Sequence, residues 1–318
     1  MKAVVTGGRG FLGSAVVQSL EALGVSPIAL GRRDGDLKEL TVAARLLGDA
    51  DLVIHLAATV GGVGFLKDNK TAAYYDNLTI GCNVIQACLN GRASRLVIIG
   101  TPCSYPPEAA LPLVEEAIAT GLAAGDTGPY GLAKASVSRL ASHLLLPSGK
   151  DVVTLVPANL YGPGDNFDPA CSHVVGSLVR RAVVSARTGS GCLEVWGDGT
   201  ATRDFLHVRD AACAIAAASL SPDPFGGDVF NLASGRETSI RELGEAIAAA
   251  ADPQMKIQFD PKKPCGVRRR VMSIAKAAIR LNFRPRTAFS DGIRETIAWV
   301  NETELWKSWL DPSSRRAA

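Results

Sequence analysis

The sequence predicts a doubly wound parallel α/β sheet over residues 1–165, followed by a smaller mixed α/β substrate domain over 166–318. Three observations predict it. Apolar strand-like runs alternate with helical stretches about six times in the first half, the pattern of a parallel sheet covered on both faces. The first run passes directly into Gly7-Gly8-Arg9-Gly10-Phe11-Leu12-Gly13 and then a helix. After Asp165 the alternation loosens, which marks the change of architecture. The segment 204–231 is expected to return to the first domain, so the boundary is interleaved.

In order, residues 2–6 form a strand and 14–23 a helix, with Gly7, Gly10 and Gly13 between them. Glycine permits the tight turn and close approach of the backbone to a pyrophosphate, and the helix N-terminus offers N–H groups and a positive dipole end. This predicts a dinucleotide site. The second strand, 27–30, ends in Gly31-Arg32-Arg33-Asp34. An acidic residue there would bind the ribose hydroxyls of NAD, whereas arginines accommodate the extra phosphate of NADP. Arg32 and Arg33, with Arg9 in the loop, point to NADP. The third strand, 52–55, leads to Leu56-Ala57-Ala58, small enough to pass beside a cofactor, and 60–64 reads as a flexible turn. A helix over 71–90 contains Asn77, and a fourth strand, 96–99, ends at Thr101, Pro102 and Cys103. Ligands sit at the carboxyl ends of such strands, so Thr101 is placed to hydrogen-bond a substrate oxygen. A helix over 130–146 and a buried strand over 152–156 precede Pro157 and Asn159-Leu160-Tyr161-Gly162-Pro163. Beyond these come a helix at 172–187, strands at 193–196 and 229–231, and a helix opened by the capping pair Ser239 and Glu242. The basic stretch 262–270 suits a diphosphate.

The chain has 318 residues, 47% of them hydrophobic, enough for one large domain or two joined ones. A net charge of +3 gives no argument for nucleic acid or a membrane surface. No apolar run reaches the roughly 18 residues of a membrane span. The first residues read as a strand at once, so a cleavable leader is not expected. Seven scattered cysteines, odd in number and without a Cys-x-x-Cys pair, favour free thiols over disulfides or zinc, hence a cytoplasmic protein and no metal.

The chemical signal is Tyr130-Gly131-Leu132-Ala133-Lys134. Four residues apart on a helix, the phenol and the ammonium share a face. The lysine is expected to lower the tyrosine pKa so that the phenol exchanges a proton with a sugar or alcohol oxygen.

With these residues together, nearly the whole chain resembles an extended short-chain dehydrogenase/reductase of the nucleotide-sugar epimerase and dehydratase type. Within it the resemblance is to members that epimerise carbons 3 and 5 and reduce carbon 4 of GDP-4-dehydro-6-deoxy-D-mannose with NADPH. The particular matches are Asp165-Asn166-Phe167, Ser172-His173-Val174 with Arg180-Arg181, and Arg203-Asp204-Phe205-Leu206-His207-Val208. The resemblance implies that Tyr130 protonates the 4-oxygen, that Lys134 holds the nicotinamide ribose, and that Thr101 stands in for the usual serine. Cys103 and His173 would be base and acid at carbons 3 and 5, whose hydrogens are acidic beside the ketone. Pro157, Asn159, Leu160 and His173 would line the cofactor, and Val60, Asn159, Arg181, Trp196, Arg203 and Arg269 would contact the GDP-sugar. It also implies a homodimer through the helices near 71–90 and 130–146. Departures lie on the substrate side: Pro102 after Thr101, Cys265 for an aspartate, Ser273 for an acid, and Arg270 where lysine is common.

Three alternatives compete. A 4,6-dehydratase wants an acidic pair directly after Thr101, which Pro102 and Cys103 do not supply. A 4-epimerase with tightly held NAD, or a plain 4-ketoreductase, would not need Cys103 and His173. A catalytically silent NADP-binding regulator is opposed by the intact Thr101, Tyr130 and Lys134.

Overall fold

Strand β1 (Ala3–Thr6) is completely buried and lies inside a six-stranded sheet. The computed structural model describes residues 1–263 and 266–310, so the Cys265 departure lies outside the described residues. Strands β2 (Ile28–Leu30), β3 (Leu52–His55), β4 (Arg95–Ile99), β5 (Asp151–Pro157) and, from later in the chain, β9 (Val229–Leu232) join β1 in the order β2-β1-β3-β4-β5-β9. Every pairing is parallel. This is a doubly wound, Rossmann-type sheet. Its strands are apolar runs because both faces are covered: Val5, Ile54, Val97 and Leu155 face one core, while Val4, Val53, Leu96 and Val152 face the other.

The first core is closed by α1 (Phe11–Ala22), and the second by α2 (Leu40–Leu47), α4 (Lys70–Asn90) and α5 (Gly128–Leu145). A short helix, α3 (Val63–Asp68), precedes α4 where the sequence suggests a turn. Strand β6 (Asn159–Tyr161) leaves the sheet. After it come α6 (Val174–Thr188), β7 (Cys192–Trp196) and β8 (Thr202–His207). Helix α7 (Val208–Ser219) and strand β9 (Val229–Leu232) then return to the first sheet: α7 packs on α1 in the first core, and β9 pairs with β5.

The remaining part is mixed. Strand β8 is parallel to β6 and β12 (Arg269–Arg270) and antiparallel to β10 (Glu237–Ser239). Among the described residues, strand β11 (Lys256–Asp260) pairs only with β7. Helices α8 (Ile240–Ala251), α10 (Phe289–Glu302) and α11 (Trp306–Leu310) pack with α6 around their own core, and α9 (Ala275–Arg280) lies against β9. Ser239 and Glu242 form the expected capping box at α8. Among the described residues, no helix is long and apolar enough to cross a membrane.

Candidate functional site

The nucleotide loop is built by sterics. Gly7 is left-handed at φ +68°, and a Cβ on Gly13 would lie 2.0 Å from the Gly7 carbonyl oxygen. Only glycine at position 13 lets α1 start this close to the strand. Gly8 N–H donates to Leu30 O at 2.9 Å, and Gly10 caps α1 through its backbone alone. No side chain caps this end and no acid lies in its first turn, so its N–H groups are left for an anion. Phe11 and Leu12 are half-buried there. Opposite, Leu56, Ala57 and Ala58 are half-buried, and Ala57 N–H donates to Thr6 Oγ1 at 3.2 Å. The loop beyond is fixed by Asn77, which exchanges hydrogen bonds with the Thr59 backbone at 2.8 and 3.1 Å.

The acidic residue near the second strand is not presented to a ribose. Asp34 accepts Gly31 N–H at 2.7 Å and pairs with both Arg9 guanidinium nitrogens at 2.9 and 3.1 Å. The Gly31 hydrogen bond first, and then Arg9, hold its carboxyl below the usual carboxylate range. Arg32 and Arg33 are exposed alongside. The cradle therefore fits a dinucleotide with an added phosphate better than one with a bare ribose.

At the end of β4, Thr101 Oγ1 accepts Cys103 N–H at 3.2 Å and also meets the Tyr130 hydroxyl. Tyr130 packs with Leu66, Ala73, Phe65 and Cys103. Thr101, Cys103 and Tyr130 are thus brought together. The expected lowering of the tyrosine pKa by Lys134 does not hold. Tyr130 is almost fully buried, and burial pushes its phenol up, outweighing the hydrogen bond from Thr101. It stands as a protonated acid. Lys134 is itself 4% exposed, and burial brings its amine down to about 8. His55, invisible as a site residue in the sequence, sits near it; burial and then the Lys134 charge take its pKa to about 3, so it is neutral. Its Nδ1 is 2.9 Å from Thr6 Oγ1.

His173 is the N-cap residue of α6, and its loop is fastened to the loop after β3. Gly62 N–H donates to Cys171 O at 2.8 Å, and a Cβ on Gly62 would come within 2.3 Å of Ser172 O. His173 keeps solvent-accessible surface while protein crowds the crevice around it, and that crowding lowers its pKa. Nearby, burial raises Asp165 to about 7, and among the described residues its Oδ2 has no hydrogen-bond partner.

Among the residues expected to contact the sugar nucleotide, the Arg181 guanidinium lies 5.5 Å from the centre of the Trp196 ring and donates to Glu194 O at 2.8 Å. Lys263 Nζ lies 5.6 Å from the same ring. Arg203 donates to Thr202 O at 2.6 Å, and Asn159 Nδ2 to Asp204 O at 3.0 Å. Pro157 ends β5, Leu160 packs against the first core, and Val60 is exposed. The two arginines of β12 differ in what they meet. Arg269 is paired with Glu237 at 2.6 and 2.7 Å, drawn off by a bidentate ion pair. Its neighbour Arg270 reaches Cys103 Sγ at 3.8 Å. The sequence marks Arg270 only as a replacement for lysine; the alternation of a strand is the signal that separates the two.

Comparison with known proteins adds relatives to this geometry. Residues 3–233 match the NAD dependent epimerase/dehydratase family. A GDP-L-fucose synthase of Sinorhizobium fredii is 34% identical, over 92% of this chain and 93% of its own. That of Escherichia coli is 30% identical, over 94% and 96%. The crystal structure of a GDP-L-fucose synthetase from Naegleria fowleri bound to NADP superposes with a TM-score of 0.85 at 26% identity, covering 95% of this chain and 93% of the other.

Proposed function

The chain belongs to the NAD dependent epimerase/dehydratase family, and from that premise we propose that it is an NADPH-dependent epimerase and reductase of a GDP-4-keto sugar, with GDP-4-dehydro-6-deoxy-D-mannose as the substrate of choice. The observation that carries the reading is the packing of Cys103 against Tyr130 beside Thr101. It joins a thiol suited to proton abstraction to a phenol suited to proton donation.

Bound NADPH supplies the hydride that reaches carbon 4. The loop from Gly7 to Gly13 and the N-terminus of α1 hold its pyrophosphate, Arg9, Arg32 and Arg33 its added phosphate, and Lys134 the nicotinamide ribose. Thr101 and Tyr130 hold the ketone oxygen. Cys103 removes the proton beside the ketone, and His173 returns one to the opposite face. Tyr130, kept protonated by burial, then delivers its proton to the 4-oxygen. Arg181, Trp196 and Arg203 take the GDP end, with Arg181 and Lys263 already gathered on Trp196. A homodimer through α4 and α5 is part of the same reading.

The test uses heavy water. Wild-type protein with GDP-4-dehydro-6-deoxy-D-mannose and NADPH is expected to give a reduced sugar carrying deuterium at carbons 3 and 5. Cys103→Ala is expected to lose that uptake while still binding NADPH. Reduction without deuterium in the wild type would leave a plain 4-ketoreductase. No oxidation of NADPH would reject this sugar and direct attention to Pro102 and Ser273.

A further inference from the structure

Adjacent residues of a strand point to opposite faces, and β12 divides its two arginines accordingly. Arg269 is held by Glu237 on the outer face. Arg270 is half-buried and brings Nη1 to 3.8 Å from Cys103 Sγ. Resting on the epimerase reading above, we propose that Arg270 is the positioning residue of the proton-abstracting cysteine: it holds the Cys103 sulfur in place and balances the negative charge of its thiolate.

The surroundings favour that role. Cys103 packs against the apolar cluster of Tyr130 from α5, Phe65 and Leu66 from α3, and Ala73 from α4, with the Thr101 hydroxyl on its own N–H. These aromatic and aliphatic groups, and the protonated Tyr130 phenol, carry no positive charge to offset a thiolate. Lys134 lies one turn further along α5. A guanidinium in contact is the stabilising partner.

The distance is set by one buried residue. Asn231, on β9, is completely buried. Its Oδ1 accepts the Tyr105 hydroxyl at 2.6 Å, which anchors the turn carrying Cys103. Its Nδ2 donates to Leu113 O at 3.1 Å, and its N–H to Glu115 at 2.8 Å. Leu113 in turn donates to Val271 O at 2.9 Å and accepts from Ser273 N–H at 2.8 Å, which anchors the chain carrying Arg270. Cysteine turn and arginine strand therefore hang from the same side chain in the central sheet.

The chemistry is balanced within the site. A lone pair on the Cys103 sulfur takes the proton from the carbon beside the ketone. The electrons of that C–H bond move to the ketone oxygen as an enolate, and the sulfur becomes a thiol. Arg270 takes no part in the proton transfer; its guanidinium supplies only the balancing charge. The sulfur remains the atom that takes the proton and yields it to solvent, while His173 delivers one to the opposite face.

The experiment follows alkylation of Cys103 by iodoacetamide as a function of pH, read by mass on the Cys103 peptide, in wild type, R270Q and R270K. No sugar is needed. R270Q is expected to react at least tenfold more slowly at neutral pH, with its profile moved to higher pH. R270K is expected to recover most of the rate. Unaltered NADPH binding reports that the variants are folded. An R270Q profile that overlays the wild type overturns the proposal. Deuterium uptake in the wild type is measured in parallel. Its absence overturns the epimerase reading and the proton-abstraction role with it, whereas uptake that persists undiminished in R270Q overturns the positioning role alone.

Discussion

Lys134 should make the protein less stable than it would be without it. Its amine titrates near 10.5 in an open chain and near 8 in the folded protein, with burial as the cause. That displacement corresponds to roughly 3 kcal/mol of preference for the neutral amine. Below pH 8 the amine is charged in folded and unfolded states alike, so the folded state carries the whole penalty. Between pH 8 and 10.5 only the unfolded state holds the proton, and the penalty fades as pH rises. Lys134→Met keeps the volume and removes the charge. Urea unfolding without nucleotide at pH 7 should show the variant more stable by roughly 2–3 kcal/mol, the gap shrinking to under about 1 kcal/mol at pH 10. The same variant should lose reductase activity. A variant no more stable at pH 7, or a gap independent of pH, would refute the reasoning that the lysine is kept for chemistry at the expense of the fold.

Two other outcomes follow from the site. Tyr130→Phe removes the proton donor and should slow reduction by about 10²–10⁴-fold, as lost general-acid catalysis does, with NADPH binding retained; near-normal turnover would reassign the acid. Arg33→Ala should weaken NADPH by roughly tenfold or more, the scale of one charged hydrogen bond, and leave NADH nearly unchanged in a fluorescence titration. Equal loss for both nucleotides would remove Arg33 from the phosphate site.

What the sequence made legible was local. The loop from Gly7 to Gly13, the tyrosine and lysine one helical turn apart, and the capping pair Ser239 and Glu242 are short-range patterns whose physics acts within a few residues. Strand β11 was not legible, because it pairs with the distant β7 and its residues alternate without a strong apolar run. Helix α2 was missed for want of a capping side chain. Helix α3 was hidden by glycines read as flexibility. Gly62 is glycine because Ser172 O lies where its Cβ would be. The electrostatics of the site were illegible for a different reason. The pairing of Tyr130 with Lys134 implies a lowered phenol pKa, but burial, a property of the whole fold, outweighs it. Which of Arg269 and Arg270 meets Cys103 likewise depends on which face of β12 meets Glu237.

The return of β9 to the first sheet bears on how the chain is made. When a ribosome has released residues 1–165, five of the six strands of that sheet are outside, but the edge of β5 is open and α1 lacks α7. The missing pieces arrive only with residues 208–232. Vectorial folding therefore cannot finish one half before starting the other. A nascent chain paused in between would expose the edge of β5 and the uncovered face of α1, the surfaces on which chaperones and neighbouring nascent chains compete.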